Sequence, residues 1–152
     1  MKRIKSIFLM LSVAVSVVAC SKDAPMVEYL EVTPNNLAGQ WKLVEWSGVA
    51  HEYTYFYIDI ARKDREFTIY QNFDSMGDMP HVVTGNFNIE TDVEKGAIIR
   101  GIYDYDEGYW SHEYEVNELT EDSMTWVATD DPTFVQKFVR TSIPESIKGT
   151  DK

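Results

Sequence analysis

Few residues in this chain have the type and spacing that chemistry requires. Cys20 is the only cysteine, so no intrachain disulfide can form. His51, His81 and His112 fall on separate segments, and no two share the close spacing with which a zinc site gathers three or four ligands. Asp104, Asp106 and Glu107 begin like a calcium loop, yet the distal carboxylate at its fixed spacing is missing, which leaves an acidic turn. There is no G-x-S-x-G elbow and no glycine-rich phosphate cradle. A glycosidase-like carboxylate pair is the one catalytic arrangement left open by the number of acids. Those acids concentrate in turns and on alternating outward positions, where they solvate a surface. The expectation is a chain that is not an enzyme, with no metal and no cofactor.

The residues that remain are aromatic and aliphatic, and their period is two. Leu37 to Trp46 starts the series, with Trp41 and Leu43 on one face and Lys42 and Val44 on the other. Gly39 lacks a Cβ and lets the chain turn tightly into this strand. Further alternating segments follow at 53–60, 66–73, 81–90, 97–103, 109–119, 123–129 and 134–140, separated by turn residues such as Arg62-Lys63-Asp64 and Asp130-Asp131-Pro132. No helix of two or more turns is expected among them. The fold class predicted is all-β, an eight-stranded up-and-down antiparallel barrel over residues 37–145.

Eight strands enclose an interior that side chains can fill or that can keep room for one small ligand. Alternation turns Phe56, Ile58, Phe67, Ile69, Trp110, Tyr114, Met124 and Trp126 inward. Trp and Tyr would suit an apolar or sugar-like ligand with a polar edge. With so many large side chains pointing inward, a packed or nearly packed lumen is expected. The second reading is a filled barrel that holds an envelope partner through its loops or through Tyr53, Tyr55 and Tyr57 on its outer face.

The first 19 residues carry a different signal. Lys2, Arg3 and Lys5 precede an apolar run from Ile7 to Val18, and small Ala19 comes before Cys20, the three-part pattern of a secretory leader. That run is about 12 residues, against the ~20 that a membrane-spanning helix requires. Its removal takes away three cations and no acid, so the formal charge of −11 becomes −14. A surface so acidic repels phosphate backbones, which argues against nucleic acid as a partner. Ser21 to Asn36 is polar, contains Pro25 and Pro34, and reads as a flexible tether over 20–36; residues 146–152 read as a polar tail.

Val17-Val18-Ala19-Cys20 resembles the bacterial lipobox. The resemblance implies acylation of the Cys20 thiol, cleavage before it, and a mature chain attached to the membrane by several acyl chains. Anchoring by two or three chains is durable where one is weak. The barrel segments, in turn, look like a lipocalin-like domain of the kind found in lipoproteins of Bacteroides-type bacteria. Gly39-Gln40-Trp41 matches the family's G-x-W, and Arg140 stands on the last strand where the family carries an Arg over that Trp. The segments Trp110 to Thr120, Ser123 to Thr125 and Phe138 to Pro144 follow in the same order as in those proteins. An acidic turn, Glu121-Asp122, stands in place of the family's middle motif, and the C-terminal helix of larger lipocalins is missing. The resemblance implies a structural closure built from Gly39, Trp41 and Arg140. It also implies an envelope protein, anchored at the outer membrane of a Gram-negative cell, whose lumen takes a small apolar ligand.

The lipid anchor is directly testable. Cys20→Ala should abolish incorporation of a fatty-acid analogue in metabolic labelling and block processing of the leader; undiminished labelling of that variant would refute the anchor.

Overall fold

A computed structural model describes residues 25–50, 54–73 and 80–149. The leader, Cys20, His51, Tyr53, residues 74–79 of the expected long loop and 150–152 of the tail lie outside the described residues. Among those described, no helix is long and apolar enough to cross a membrane.

The strands are β1 (Gly39–Trp46), β2 (Val49–Ala50), β3 (Phe56–Ile60), β4 (Glu66–Gln71), β5 (His81–Asp92), β6 (Gly96–Tyr103), β7 (Tyr114–Asn117), β8 (Ser123–Ala128) and β9 (Val135–Arg140). Every strand from β3 to β9 pairs antiparallel with its neighbour in sequence, and β1 pairs with both β3 and β9. The result is a closed eight-stranded antiparallel barrel of up-and-down topology, with β2 as a short extra piece. β2 pairs with Glu45 and Trp46, beyond the point where β3 has left β1. The second barrel strand, read from the sequence as a run from Tyr53 to Ile60, is strand from Phe56 to Ile60. Ser47 and Gly48, both at positive φ, form the two-residue turn that joins β1 to β2.

Alternation shows directly in burial. Trp41 and Leu43 on β1, Ile58 and Ile60 on β3, Phe67 and Ile69 on β4, and Met124, Trp126 and Ala128 on β8 are all buried. The largest departure is at the expected sixth strand, 109–119. Only Tyr114–Asn117 is strand, because Tyr109 makes an isolated bridge to Ile102 and the chain then bends through Ser111 before rejoining β6 at Ile99. The outer-face tyrosines differ too. Tyr57 is buried, with the Lys42 ammonium 5.9 Å from its ring and the Tyr55 ring 5.9 Å away, so it offers no free docking surface.

One end of the barrel is solid. Trp41 is fully buried and donates its indole N–H to the Leu37 carbonyl at 2.9 Å. The Arg140 guanidinium lies 4.0 Å over the Trp41 ring. It donates to the carbonyl oxygens of Ala38 (2.7 Å), Asn36 (3.0 Å) and Glu121 (2.6 Å). Trp41 and Arg140 are also direct partners in the β1–β9 register. Gly39 has φ of +127°, and a Cβ there would fall 2.3 Å from an Arg140 nitrogen, so both backbone and space exclude a side chain.

The expected tether is shorter than its composition indicates. Leu30 and Val32 pack against the core, and the Leu30 amide donates to the Leu119 carbonyl at 2.7 Å. Thr33 caps the one-turn helix α1 (Pro34–Leu37), its hydroxyl accepting from the Asn36 amide. A Thr followed by Pro at the first helical position is a helix start, which the proline content had masked as a linker. At the other terminus Ile143 is buried, and Glu145–Lys148 forms a single turn, α2, that reaches into the stretch read as a polar tail.

Deleting a buried Trp side chain costs ~3–5 kcal/mol. Trp41→Ala should lower the melting temperature steeply or unfold the barrel, whereas Tyr109→Ala, at an exposed position, should leave it nearly unchanged. Equal melting temperatures for the two variants would contradict the closure.

Candidate functional site: an aromatic cavity at the open end of the barrel

The end opposite Trp41 is hollow. A cavity of about 350 Å³ lies inside the barrel, at the low end of the ~300–1,000 Å³ typical of small-molecule pockets. Its lining comes from the end of β1 (Trp46), the start of β3 (Phe56, Ile58), β4 (Ile69, Gln71) and the start of β5 (Val83). β6 and the bend after it add Tyr103, Trp110, Ser111 and His112, and β7 to β9 with the turn before β9 add Tyr114, Trp126, Phe134 and Gln136. Ser111 is exposed, so the cavity reaches solvent at this end.

Of the eight lumen residues expected from sequence, Phe56, Ile58, Ile69, Trp110, Tyr114 and Trp126 line the space. Phe67 and Met124 do not: both are buried in the packed floor. Phe67 lies beneath the wall, its ring 5.0 Å from that of Trp110. The interior is accordingly split, packed below and hollow above, where the residue sizes had indicated a packed or nearly packed lumen.

Sequence alternation puts His112 on the face of Trp110 and Tyr114, though not among the lumen residues, and misses Trp46, Tyr103, Phe134, Gln71, Ser111 and Gln136. Gln136 alternates with Phe138, which should have marked it as inward. It is the only polar residue buried among those described. It stands opposite Trp126 on β8 and Trp46 on β1. Ser111 and His112 belong to an irregular bend, where a two-residue period carries no information.

The aromatic rings support one another along the wall. Trp126 packs on Trp110 (5.6 Å between ring centroids), on Tyr114 (5.4 Å) and on Phe138 (4.8 Å). Trp46 meets Phe134 edge-on at 5.2 Å. Trp110 owes its place to a glycine: a Cβ on Gly101 would lie 2.1 Å from its indole carbon Cε2, so the ring rests directly on β6 backbone. The Trp110 amide donates to the Gly101 carbonyl at 3.0 Å, which fixes the bend at the same point.

The electrostatics of the lining are simple. No Lys, Arg, Asp or Glu contributes to it. Burial pushes the Tyr114 hydroxyl well above its usual pKa, with smaller contributions from Tyr103 and Asp130. Burial raises that of Tyr103 as well, followed by the charge of Glu107. Both therefore remain neutral hydroxyls at ordinary pH. At the rim, His112 Nδ1 and Asp130 Oδ1 are 2.8 Å apart, and this hydrogen bond holds the Asp130 carboxyl below the usual range. An ionised carboxylate only accepts, so Nδ1 carries the proton and donates. The His112 ring lies 4.6 Å from Phe134. The indole N–H groups of Trp110 and Trp126 are buried and have no hydrogen-bond partner in the protein.

Among the described residues no three His, Cys, Asp or Glu side chains converge as a metal site would require. Asp104 accepts from the Thr84 hydroxyl and its carbonyl from the Glu107 amide, the bonding of a turn. Comparisons with protein-family models, with curated proteins and with solved structures each return no match.

Gly101→Ala places a methyl where the Trp110 ring now sits. It should expel the indole from its seat, change the near-ultraviolet circular dichroism of the Trp cluster and lower stability by ~1–3 kcal/mol. Unchanged dichroism and melting temperature would show that Trp110 does not depend on that glycine.

Proposed function

We propose that this chain is a membrane-anchored envelope lipoprotein whose lipocalin-like barrel binds a small, largely apolar ligand in the cavity at its open end. The cavity itself is the observation that supports this reading. A barrel serving only as a scaffold for its outer face has no use for a space of about 350 Å³ walled by aromatic rings. Burial of an apolar ligand there contributes roughly 25 cal/mol per Å² of apolar area removed from water. The rings on the wall hold their positions through mutual contact, so the ligand meets a site already formed and loses less free energy to ordering side chains. The anchor belongs to the same reading: acylation at Cys20 would keep the barrel on the outer membrane, and the strongly acidic surface would keep it soluble beside that membrane.

The test is titration of the delipidated, folded protein with fatty acids, sterols and small aromatic metabolites, followed by tryptophan fluorescence. At least one class should give a saturable change. Val83 lines the cavity from β5, and Val83→Phe should fill part of the space, weakening that binding about tenfold or more while leaving the melting temperature close to the parent's. Absence of any saturable response across the panel would overturn the binding function and leave the loops as the surface to explore for a protein partner.

A further inference from the structure

The inference concerns the polar group of the ligand, and it rests on the lumen-binding reading just given. The chain has three glutamines, and they differ in what their amides meet. Gln40 is satisfied at both ends: its amide nitrogen donates to the Asp59 carboxylate at 2.8 Å, and its oxygen accepts from the Ile143 amide at 2.8 Å. Gln71 lines the cavity but is only half-buried, so solvent can serve it. Gln136 has neither recourse. It is 6% exposed, it lines the cavity from β9, and its side-chain amide makes no hydrogen bond among the described residues. Its cross-strand partners, Trp126 on β8 and Trp46 on β1, line the same space. Nor are its amide atoms sealed off inside the protein, as the indole nitrogens of Trp110 and Trp126 are. The small surface that Gln136 keeps thus includes both ends of its amide and opens on the cavity.

A buried amide without a partner is rare in folded proteins, because leaving it unmatched costs free energy. An apolar side chain of the same shape would avoid that cost, so the amide at this place points to a partner that arrives with the ligand. A carboxamide sets an N–H donor and a carbonyl acceptor side by side in one plane. The group that meets both together carries the same pair reversed, an N–H beside a C=O, as an amide or lactam does. An ester or ketone meets the donor alone, and a hydrocarbon meets neither. A carboxylate would lose its water in a lining without Lys or Arg, a loss that is large when no countercharge repays it. A cation leaves the N–H of Gln136 unmatched. The Tyr114 phenol, 7% exposed and also without a hydrogen-bond partner among the described residues, offers the same space one further neutral hydroxyl.

We infer that the cavity takes an uncharged ligand with an apolar body and one amide-type edge, an N–H beside a C=O, and that Gln136 is the residue that reads this edge. The aromatic lining holds the body, and Gln136 discriminates at the head.

The experiment uses the full chain in lipid nanodiscs, with empty discs as the partition blank, and four two-ring probes of similar size. These are 2-quinolone (N–H beside C=O), coumarin (the same outline with a ring oxygen in place of the N–H), naphthalene (neither group) and 2-naphthoate (anion). Calorimetry should show 2-quinolone binding about tenfold or more tightly than coumarin, the scale of leaving one buried polar group unmatched. In a sample carrying ¹⁵N in the glutamine side chains, 2-quinolone should move the Gln136 amide resonances. Those of Gln40, already bonded to Asp59 and Ile143, should stay in place. Gln136→Met keeps much of the volume and loses the amide. It should melt no lower than the parent, and 2-quinolone should fall to the affinity of coumarin while coumarin binding persists. A clearly lower melting temperature for that variant would show an amide engaged within the protein and overturn the inference. Equal binding of 2-quinolone and coumarin, tighter binding of 2-naphthoate, or still Gln136 resonances overturns it and leaves lumen binding standing. Binding of none of the four overturns it as well, and a fatty acid or sterol that still saturates the protein would then show that lumen binding survives without it.

Discussion

The stacking of Arg140 on Trp41 is the constraint on which the rest of the structure depends. An open eight-stranded sheet would leave the edges of β1 and β9 bare; pairing them removes both. Trp41 and Arg140 are the register partners that set where that closure begins. The guanidinium then ties three carbonyls, from Asn36, Ala38 and Glu121, into one knot. These oxygens come from the segment leading into β1 and from the turn before β8, so a single side chain fastens the entry of the barrel to its last hairpin. Arginine suits this role because its planar fork donates in several directions while one face remains free to stack. Lysine could supply charge but neither the fork nor the plane.

With one end fixed in this way, the barrel is polarised. Leu37 and Leu119 belong to the same buried core as Trp41, and Leu30 and Val32 pack against it. Away from the knot the strands part, and the register slips once on β1, between Leu43 and Glu45, where β9 falls one residue behind. A bulge of this kind bends the strand and increases its twist. Trp46, just past the slip, packs on Phe134 and faces the cavity. Closure at one end and hollowness at the other thus share a cause in β1.

Most of the barrel was legible because its strands obey a two-residue period and its turns carry the usual residues. Trp41, Ile58, Phe67, Ile69 and Trp126 fell on the correct face for that reason alone. Legibility failed where regular structure failed. The bend at 110–113 has no period, so Ser111 could not be placed, and Trp110 and His112 fell on the inward face for the wrong local reason, as part of a strand that does not extend so far. The docked segment from Leu30 to Asn36 was missed because proline and asparagine suggest a linker equally well when the helix they start is a single turn. Most of all, the division of the interior into floor and cavity could not be read, since it depends on which rings lie flat on the wall and which stand across the lumen.

That division comes down to two positions without side chains. Gly85 on β5 and Gly101 on β6 both turn inward. A Cβ on the first would lie 2.6 Å from the Phe67 ring, and one on the second 2.1 Å from the Trp110 ring. Each glycine thins the wall by a Cβ and lets a large ring settle onto backbone, away from the barrel axis. Two residues as bulky as Phe and Trp would otherwise project into the centre and close it, as interiors of eight-stranded barrels readily do. Here the same aromatic mass is spread over the wall. The large inward residues that, by volume alone, argue for a filled lumen are instead what surround an empty one. Hollow space in this barrel therefore follows from where side chains are missing, and the wall it exposes is largely aromatic, without Lys, Arg, Asp or Glu.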